Sequence, residues 1–164
     1  MSANRIFILT GGSGVGKTTL GEFLETLGIS QLISHTTRPK RKGEVEGKNY
    51  YFVDMNTFLK LEKIEFTEYP KNSGNYYCLS KKEIDDKLSK YGQVYAVTDK
   101  YGIEQLKEKY GNVVKVIYIT CPLSEMEKRM RARGDSEEQI QKRLKQAIET
   151  NELNNHHLAD YVIE

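Results

Sequence analysis

Eight consecutive residues carry the clearest chemistry in this chain: Gly11-Gly12-Ser13-Gly14-Val15-Gly16-Lys17-Thr18, with Thr19 behind them. They match G-x-x-x-x-G-K-[ST] at every fixed position. Glycines let the backbone turn tightly and aim successive N–H groups at phosphate oxygens, and a helix opening at Lys17 adds its positive end. Lys17 can reach the outer phosphates as a point charge, and the Thr18 hydroxyl is a suitable Mg²⁺ ligand. A glycine-rich turn with an incidental Gly-Lys-Thr is the competing reading, and the flanks argue against it. Residues 5–10 hold Ile6, Phe7, Ile8 and Leu9 in a run that reads as a strand buried on both faces. After the loop, Leu20, Phe23, Leu24 and Leu27 recur at helical spacing, and Gly28 supplies the stop. Strand, loop and helix together predict a nucleoside triphosphate site, with ATP-type phosphates cradled by residues 11–19.

A second candidate anion site lies at residues 34–44, Ser-His-Thr-Thr-Arg-Pro-Lys-Arg-Lys-Gly-Glu. It gathers hydroxyls and cations beside a proline that fixes the backbone. Arg38 and Arg41 are spaced so that both could fork onto one phosphate, helped by a serine hydroxyl and a nearby tyrosine. A solvated basic loop is the alternative that spacing alone leaves open.

The elements that must position these residues read as one domain. The chain has 164 residues, a length that supports a real core without disulfides. With 25 Lys plus Arg against 23 Asp plus Glu, the net charge is +2, which argues against a dedicated nucleic-acid binder. Cys78 and Cys121 form no CxxC pair and fit a reducing compartment. No apolar run approaches the ~18 residues of a membrane span, and the N-terminal apolar run is too short for a signal peptide. A cytoplasmic protein is expected, with no membrane and no nucleic-acid partner; its oligomeric state is not legible.

Residues 34–80 are rich in Tyr, Lys, Gly and Asn, with an extended piece at 50–53 and a helical piece around 56–63. They read as a mixed, partly antiparallel insert. Buried strands are expected at 94–98 and 113–120 with a helix at 103–110 between them, the βαβ rhythm. A helix at about 123–133 carries Leu123, Met126 and Met130 on one face. Gly134-Asp135 breaks it, and Ser136 with Gln139 makes a capping box. The next helix carries Ile140, Leu144, Ala147 and Ile148 on its inner stripe, and Tyr161-Val162-Ile163 reads as a short final strand. His156-His157 lacks the further ligands that a metal site needs.

Four segments, GGSGVGKTT, SHTTRPKRKGEVEGKNYYFV, EYPKNSGNYY and RMRARGDSEEQIQKRL, occur in the order and with the gaps of the guanylate kinase family, which the chain resembles over nearly its whole length. The resemblance implies an α/β P-loop kinase fold, a parallel sheet core flanked by helices with a mixed β GMP-binding subdomain and a helical lid. It divides the single domain into a core (1–33, 81–124, 144–164), a nucleoside monophosphate-binding part (34–80) and a lid (about 125–143). It implies transfer of the γ-phosphoryl group of Mg-ATP to GMP or dGMP. Ser34, Arg38, Arg41, Tyr50 and Tyr77 are then assigned to the GMP phosphate, and Glu68 and Asp99 to guanine. Lys17, Arg41, Arg133 and Arg143 are the charge-stabilising catalytic groups, with Thr18 on Mg²⁺. Arg129 and Arg131 read as surface residues, and Asp99 as a strand-end cap is the alternative to its guanine role.

The chain departs from the family pattern at named positions. Leu79 stands where the family carries a hydroxyl that donates to guanine O6, so either Ser80 takes over or base choice changes. Val97 fills the first of two aspartate positions, leaving Asp99 alone. The chain stops at Glu164, before the family's Asn near adenine, so no adenine contact is assigned. The alternatives are a kinase of the same layout with another acceptor (a different nucleoside monophosphate or ribose 1,5-bisphosphate), and a non-catalytic binding module.

Overall fold

A computed structural model describes residues 3–69, 71–149 and 152–164. Strand β1 (Arg5–Thr10) is the hydrophobic run ahead of the glycine loop, and Ile6, Ile8 and Leu9 are fully buried. It pairs in parallel with β7 (Gln93–Val97) on one side and β8 (Val114–Ile119) on the other. Short β2 (Ser30–Gln31) and β9 (Tyr161–Ile163) complete a parallel sheet in the order β2-β7-β1-β8-β9. Parallel strands need crossovers, and the helices supply them on both faces.

The period-2 alternation of the strands sorts their side chains between two cores. Ile6, Ile8, Val94, Ala96, Val114 and Val116 pack with Ile84 and Leu88 of α3 (Lys81–Tyr91) and Ile103 and Leu106 of α4 (Lys100–Tyr110). Leu9, Tyr95 and Ile119 pack on the opposite face with Leu24 of α1 (Lys17–Thr26), Met126 and Met130 of α5 (Leu123–Ala132) and Ile140 of α6 (Glu137–Glu149). The result is a three-layer α/β/α core.

The middle of the chain builds a second sheet, in the order β4-β3-β6-β5. Strand β3 (His35–Thr36) is parallel to β4 (Tyr51–Phe52) and antiparallel to β6 (Tyr76–Ser80), which is antiparallel to β5 (Lys63–Glu68). The expected mixed insert is therefore present. The helical piece is shorter than expected: α2 spans Met55–Lys60, capped by the Asp54 side chain on the Thr57 N–H, and β5 begins at Lys63.

Several helix faces differ from the periodicity reading. Phe23 of α1 and Leu27 at its C-cap are exposed, because α1 covers the sheet with Leu20, Gly21 and Leu24. Leu123 and Ile148 are exposed for the same geometric reason, at the ends of the buried stripes of α5 and α6. Ser136 and Gln139 do form the reciprocal cap between α5 and α6. Among the described residues, no helix is long and apolar enough to cross a membrane.

Candidate active site

The loop between β1 and α1 is built by steric necessity. Gly11 has φ +143°, and a Cβ there would lie 2.1 Å from the Ile119 carbonyl oxygen, so only glycine passes at this point. The turn delivers Gly16 to the N-cap of α1 and leaves Lys17 at its first position. Lys17 Nζ donates to the carbonyls of Gly11 and Gly12, both at 2.7 Å, which folds the side chain back over the loop. Thr18 and Thr19 are exposed at the opening of the helix. The floor beneath is apolar, with Val15 and Met126 buried, so the loop rests on α5.

Arg129 of α5 reaches the same loop. Its Nη1 donates to the Val15 carbonyl at 3.1 Å and its Nε to Glu125 at 2.9 Å. Arg129 is exposed, as the sequence reading placed it, but its bond to the loop was not legible, since an arginine on a charged helix gives no sign of its partner.

A second cluster forms on the other sheet. Arg38 is almost fully buried. Its guanidinium lies 5.5 Å from the Tyr50 ring centroid and 5.8 Å from that of Phe52, while its Nε donates to the Tyr77 hydroxyl at 3.1 Å. Tyr50 and Tyr77 meet edge to face at 5.6 Å. Arg38, Tyr50 and Tyr77 are thus brought together. The fork of Arg38 closes on Glu44, at 2.7 and 3.1 Å, and Glu44 also accepts from the Arg41 backbone N–H at 2.7 Å. The pair raises the Arg38 pKa, and the Arg38 hydrogen bond holds the Glu44 carboxyl below its usual range. Burial pushes the Tyr50 hydroxyl upward, so it stays a proton donor. The Arg41 side chain is exposed, and Ser34 is half-buried with its carbonyl accepting from the Tyr51 N–H at 3.0 Å. Glu44 was part of the basic motif without a role; its spacing from Arg38 was the available signal.

Between the glycine loop and the C-terminal ends of the sheet opens a cleft of 710 Å³. Lys17, Ser13, Thr98, Asp99, Tyr101 and Arg143 line it, and Val97 stands exposed on its wall. A second cleft of 610 Å³ joins it at Lys17 and runs to Thr18, Lys48 and Tyr50. Of the Arg38 cluster, Tyr50 lines the second opening. Asp99 caps α4, its Oδ1 accepting from the Gly102 N–H at 3.1 Å, so the cap reading and a place in the cleft hold together. Glu68 does not line the larger cleft; its carboxylate accepts from the Gly74 N–H at 2.8 Å across the β5–β6 hairpin. Leu79 is packed in the core and Ser80 caps α3, its hydroxyl accepting from the Glu83 N–H at 3.2 Å. The Ser80 hydroxyl therefore points into the helix rather than substituting at Leu79.

Asp135 ties the two expected lid arginines together. Arg133 donates to its carboxylate, and Arg143 Nη1 stands 3.3 Å from it. Arg133 holds the Asp135 carboxyl below its usual range, with Arg143 adding to the effect. Arg131 pairs instead with Glu127 and Glu137 and stays on the surface.

A glycine phosphate loop at a strand–helix turn, a facing arginine–tyrosine cluster and a parallel sheet between helix layers define a P-loop kinase. The guanylate kinase family profile matches residues 3–164. Guanylate kinase of Thermus thermophilus is 41% identical over 162 residues, spanning 97% of this chain and 73% of the relative. That of Fusobacterium nucleatum is 38% identical over 151 residues, 90% of this chain and 82% of the relative. The crystal structure of guanylate kinase from Anaplasma phagocytophilum superposes with a TM-score of 0.70 at 34% identity, covering 99% of this chain and 77% of that one. The chain belongs to the guanylate kinase family.

Proposed function

We propose that this protein transfers the γ-phosphoryl group of ATP to GMP or dGMP, giving ADP and the nucleoside diphosphate. The observation that carries the reading is Lys17 of the glycine loop, which lines both clefts, the second of which reaches Tyr50 of the Arg38 cluster. Two anion sites that share one lysine suit a donor and an acceptor phosphate brought in line.

The backbone N–H groups of residues 11–19 hold the donor's phosphates, and Lys17 leaves its loop carbonyls for their outer oxygens. Arg41, Tyr50 and Tyr77, with Ser34 nearby, receive the acceptor's phosphate, and Arg38 joins them by sharing or leaving Glu44. Glu68 and Asp99 meet the base: a carboxylate accepts from guanine N1–H and the N2 amine together. Adenine offers neither donor and leaves the carboxylate unpaired. The part at 34–80 holds the acceptor and the part at about 125–143 acts as the lid. Arg133 and Arg143 close over the transferring group and spread its charge, with Arg41 opposite. Cations placed this way do the work of an arginine finger supplied in cis.

The donor atoms that the loop offers are hard oxygens, with the Thr18 hydroxyl at the opening of α1. That set suits Mg²⁺, which binds through substrate phosphates and keeps its waters, and Thr18 would hold it. When bound, the ion neutralises charge on the donor's phosphates. Two free cysteines, Cys78 buried and Cys121 half-buried, agree with a reducing cytoplasm.

The test is ADP release with GMP for the wild type and Lys17→Met. A loss of about a thousandfold in kcat, within the range for phosphate-clamping cations, supports these roles. Near-normal turnover by Lys17→Met overturns them.

A further inference from the structure

A buried carboxylate that phosphoryl transfer does not use sits at the junction of the two sheets. Glu65 is only 7% exposed. Strand β5 bulges between Lys63 and Glu65, so Glu65 lies directly opposite Leu79. A bulge re-aims the side chain that follows it. Here it turns Glu65 toward the core, where Oε1 accepts from the Thr98 hydroxyl at 3.0 Å and the carboxyl takes a further hydrogen bond from the Leu79 backbone. Burial raises the Glu65 pKa most, the Asp99 charge adds to it, and the two hydrogen bonds oppose it. Carboxylates are buried this far only when hydrogen bonds hold them, as these two do.

Thr98 is held from its other side. A Cβ on Gly102 would lie 2.0 Å from Thr98 Oγ1, so the missing side chain lets Thr98 lie against the first turn of α4. The Gly102 N–H in turn donates to Asp99. One line of contacts therefore runs from Leu79 through Glu65, Thr98 and Gly102 to Asp99. Strand β5 leans on α4 a second time, where Gln105 accepts from the Phe66 N–H at 3.2 Å.

We propose that Glu65 is a positioning residue for the acceptor's base: through Thr98 it fixes the turn that carries Asp99 relative to the sheet that carries Glu68. The proposal rests on the reading of Asp99 as a base contact. Glu65 touches neither nucleotide; it sets the distance between the two walls that the base must bridge. A pin that served stability alone would leave the Michaelis constants in place.

The experiment is steady-state kinetics on the full chain with GMP and ATP varied separately, for Glu65→Ala, Thr98→Val, Thr98→Ser and Asp99→Asn. Glu65→Ala and Thr98→Val should raise the KM for GMP by about tenfold, the worth of one hydrogen bond to a charged group, with the KM for ATP unchanged. Thr98→Ser keeps the hydroxyl and should restore the KM for GMP. In the Asp99→Asn background, adding Glu65→Ala should change the KM for GMP little, since the two act on one contact. An unchanged KM for GMP in Thr98→Val, or equal loss for GMP and ATP, overturns the proposal even if Glu65→Ala fails to fold. If Asp99→Asn itself leaves the KM for GMP unchanged, the base reading falls and this proposal with it. If Asp99→Asn raises it and Thr98→Val does not, only the role of Glu65 falls.

Discussion

Arg129 of α5 donates to the backbone carbonyl of Val15 at 3.1 Å, which ties a helix of the last third of the chain to the crest of the phosphate loop. The bond spans 114 positions of sequence and holds the loop from outside, where the loop's own glycines give it no stiffness. Replacing Arg129 by Met keeps the stem but removes the donor. Because hydrogen bonds to charged groups contribute about 1.5–3 kcal/mol, the KM for ATP should rise roughly tenfold to a hundredfold. The KM for GMP should change much less, and initial-rate measurements with each substrate varied in turn give the comparison.

Asp135 is the shared partner of Arg133 and Arg143. Both arginines serve the proposed lid, so the carboxylate sets their separation before any nucleotide binds. Asp135→Asn should lower kcat by about tenfold while leaving the KM for GMP within a factor of about two, because the residues proposed for the acceptor's phosphate lie in the part at 34–80. A rise in KM without loss of kcat would speak against this arrangement.

Met126 is fully buried beneath the glycine loop, and its Cε would meet a Cβ on Gly12 at 2.7 Å. Truncation to Ala leaves a hole under the loop. Met126→Ala should cost about 2–5 kcal/mol in urea unfolding. The same loss of support should weaken ATP binding, which calorimetry would detect.

His35 packs on the Tyr51 ring at 4.8 Å, and its Nδ1 is buried without a partner among the described residues. Burial lowers its pKa, with Glu83 and Glu46 pulling the other way. Between that depressed pKa and the ordinary 6.5 the unfolded chain binds more protons than the folded one. The stability held by the neutral ring is therefore complete above pH 6.5 and lost as pH falls through the folded pKa. His35→Gln should flatten this part of the pH–stability curve. Urea midpoints at pH 7.5 and 5.5, chosen around the usual histidine range, measure it.

Local patterns made much of this architecture readable. The loop at residues 11–19 needs glycine and lysine at fixed places, and β1 needs apolar residues on both faces, so both are visible in a short window. The strand–helix rhythm through β7, α4 and β8 follows from the same alternation. Helix α3 was missed because only Ile84 and Leu88 make its stripe in an otherwise charged segment. Strand β5 alternates in sequence through Ile64 and Phe66, but the bulge at Lys63–Glu65 turns Glu65 inward and leaves Phe66 exposed, so its faces were not legible. In the site, Arg38, Tyr50 and Tyr77 come together, while the Arg41 side chain that the motif set beside Arg38 is exposed. The contact of Arg129 with Val15 depends on where α5 comes to rest, which no window contains, whereas Glu44 meets Arg38 and the Arg41 N–H within its own motif. The Glu68 carboxylate turns to the hairpin N–H of Gly74, because a backbone donor one turn away is available before any base arrives. Pro70, inside that motif, lies outside the described residues.

The most direct test of the account is product formation from Mg-ATP with GMP, dGMP, AMP, UMP, CMP and ribose 1,5-bisphosphate supplied one at a time, followed by phosphorus NMR. The account predicts GDP or dGDP with stoichiometric ADP, and little product from the other acceptors. Turnover of AMP or ribose 1,5-bisphosphate in preference to GMP would contradict it, and would make Leu79 and Val97 the first positions to exchange.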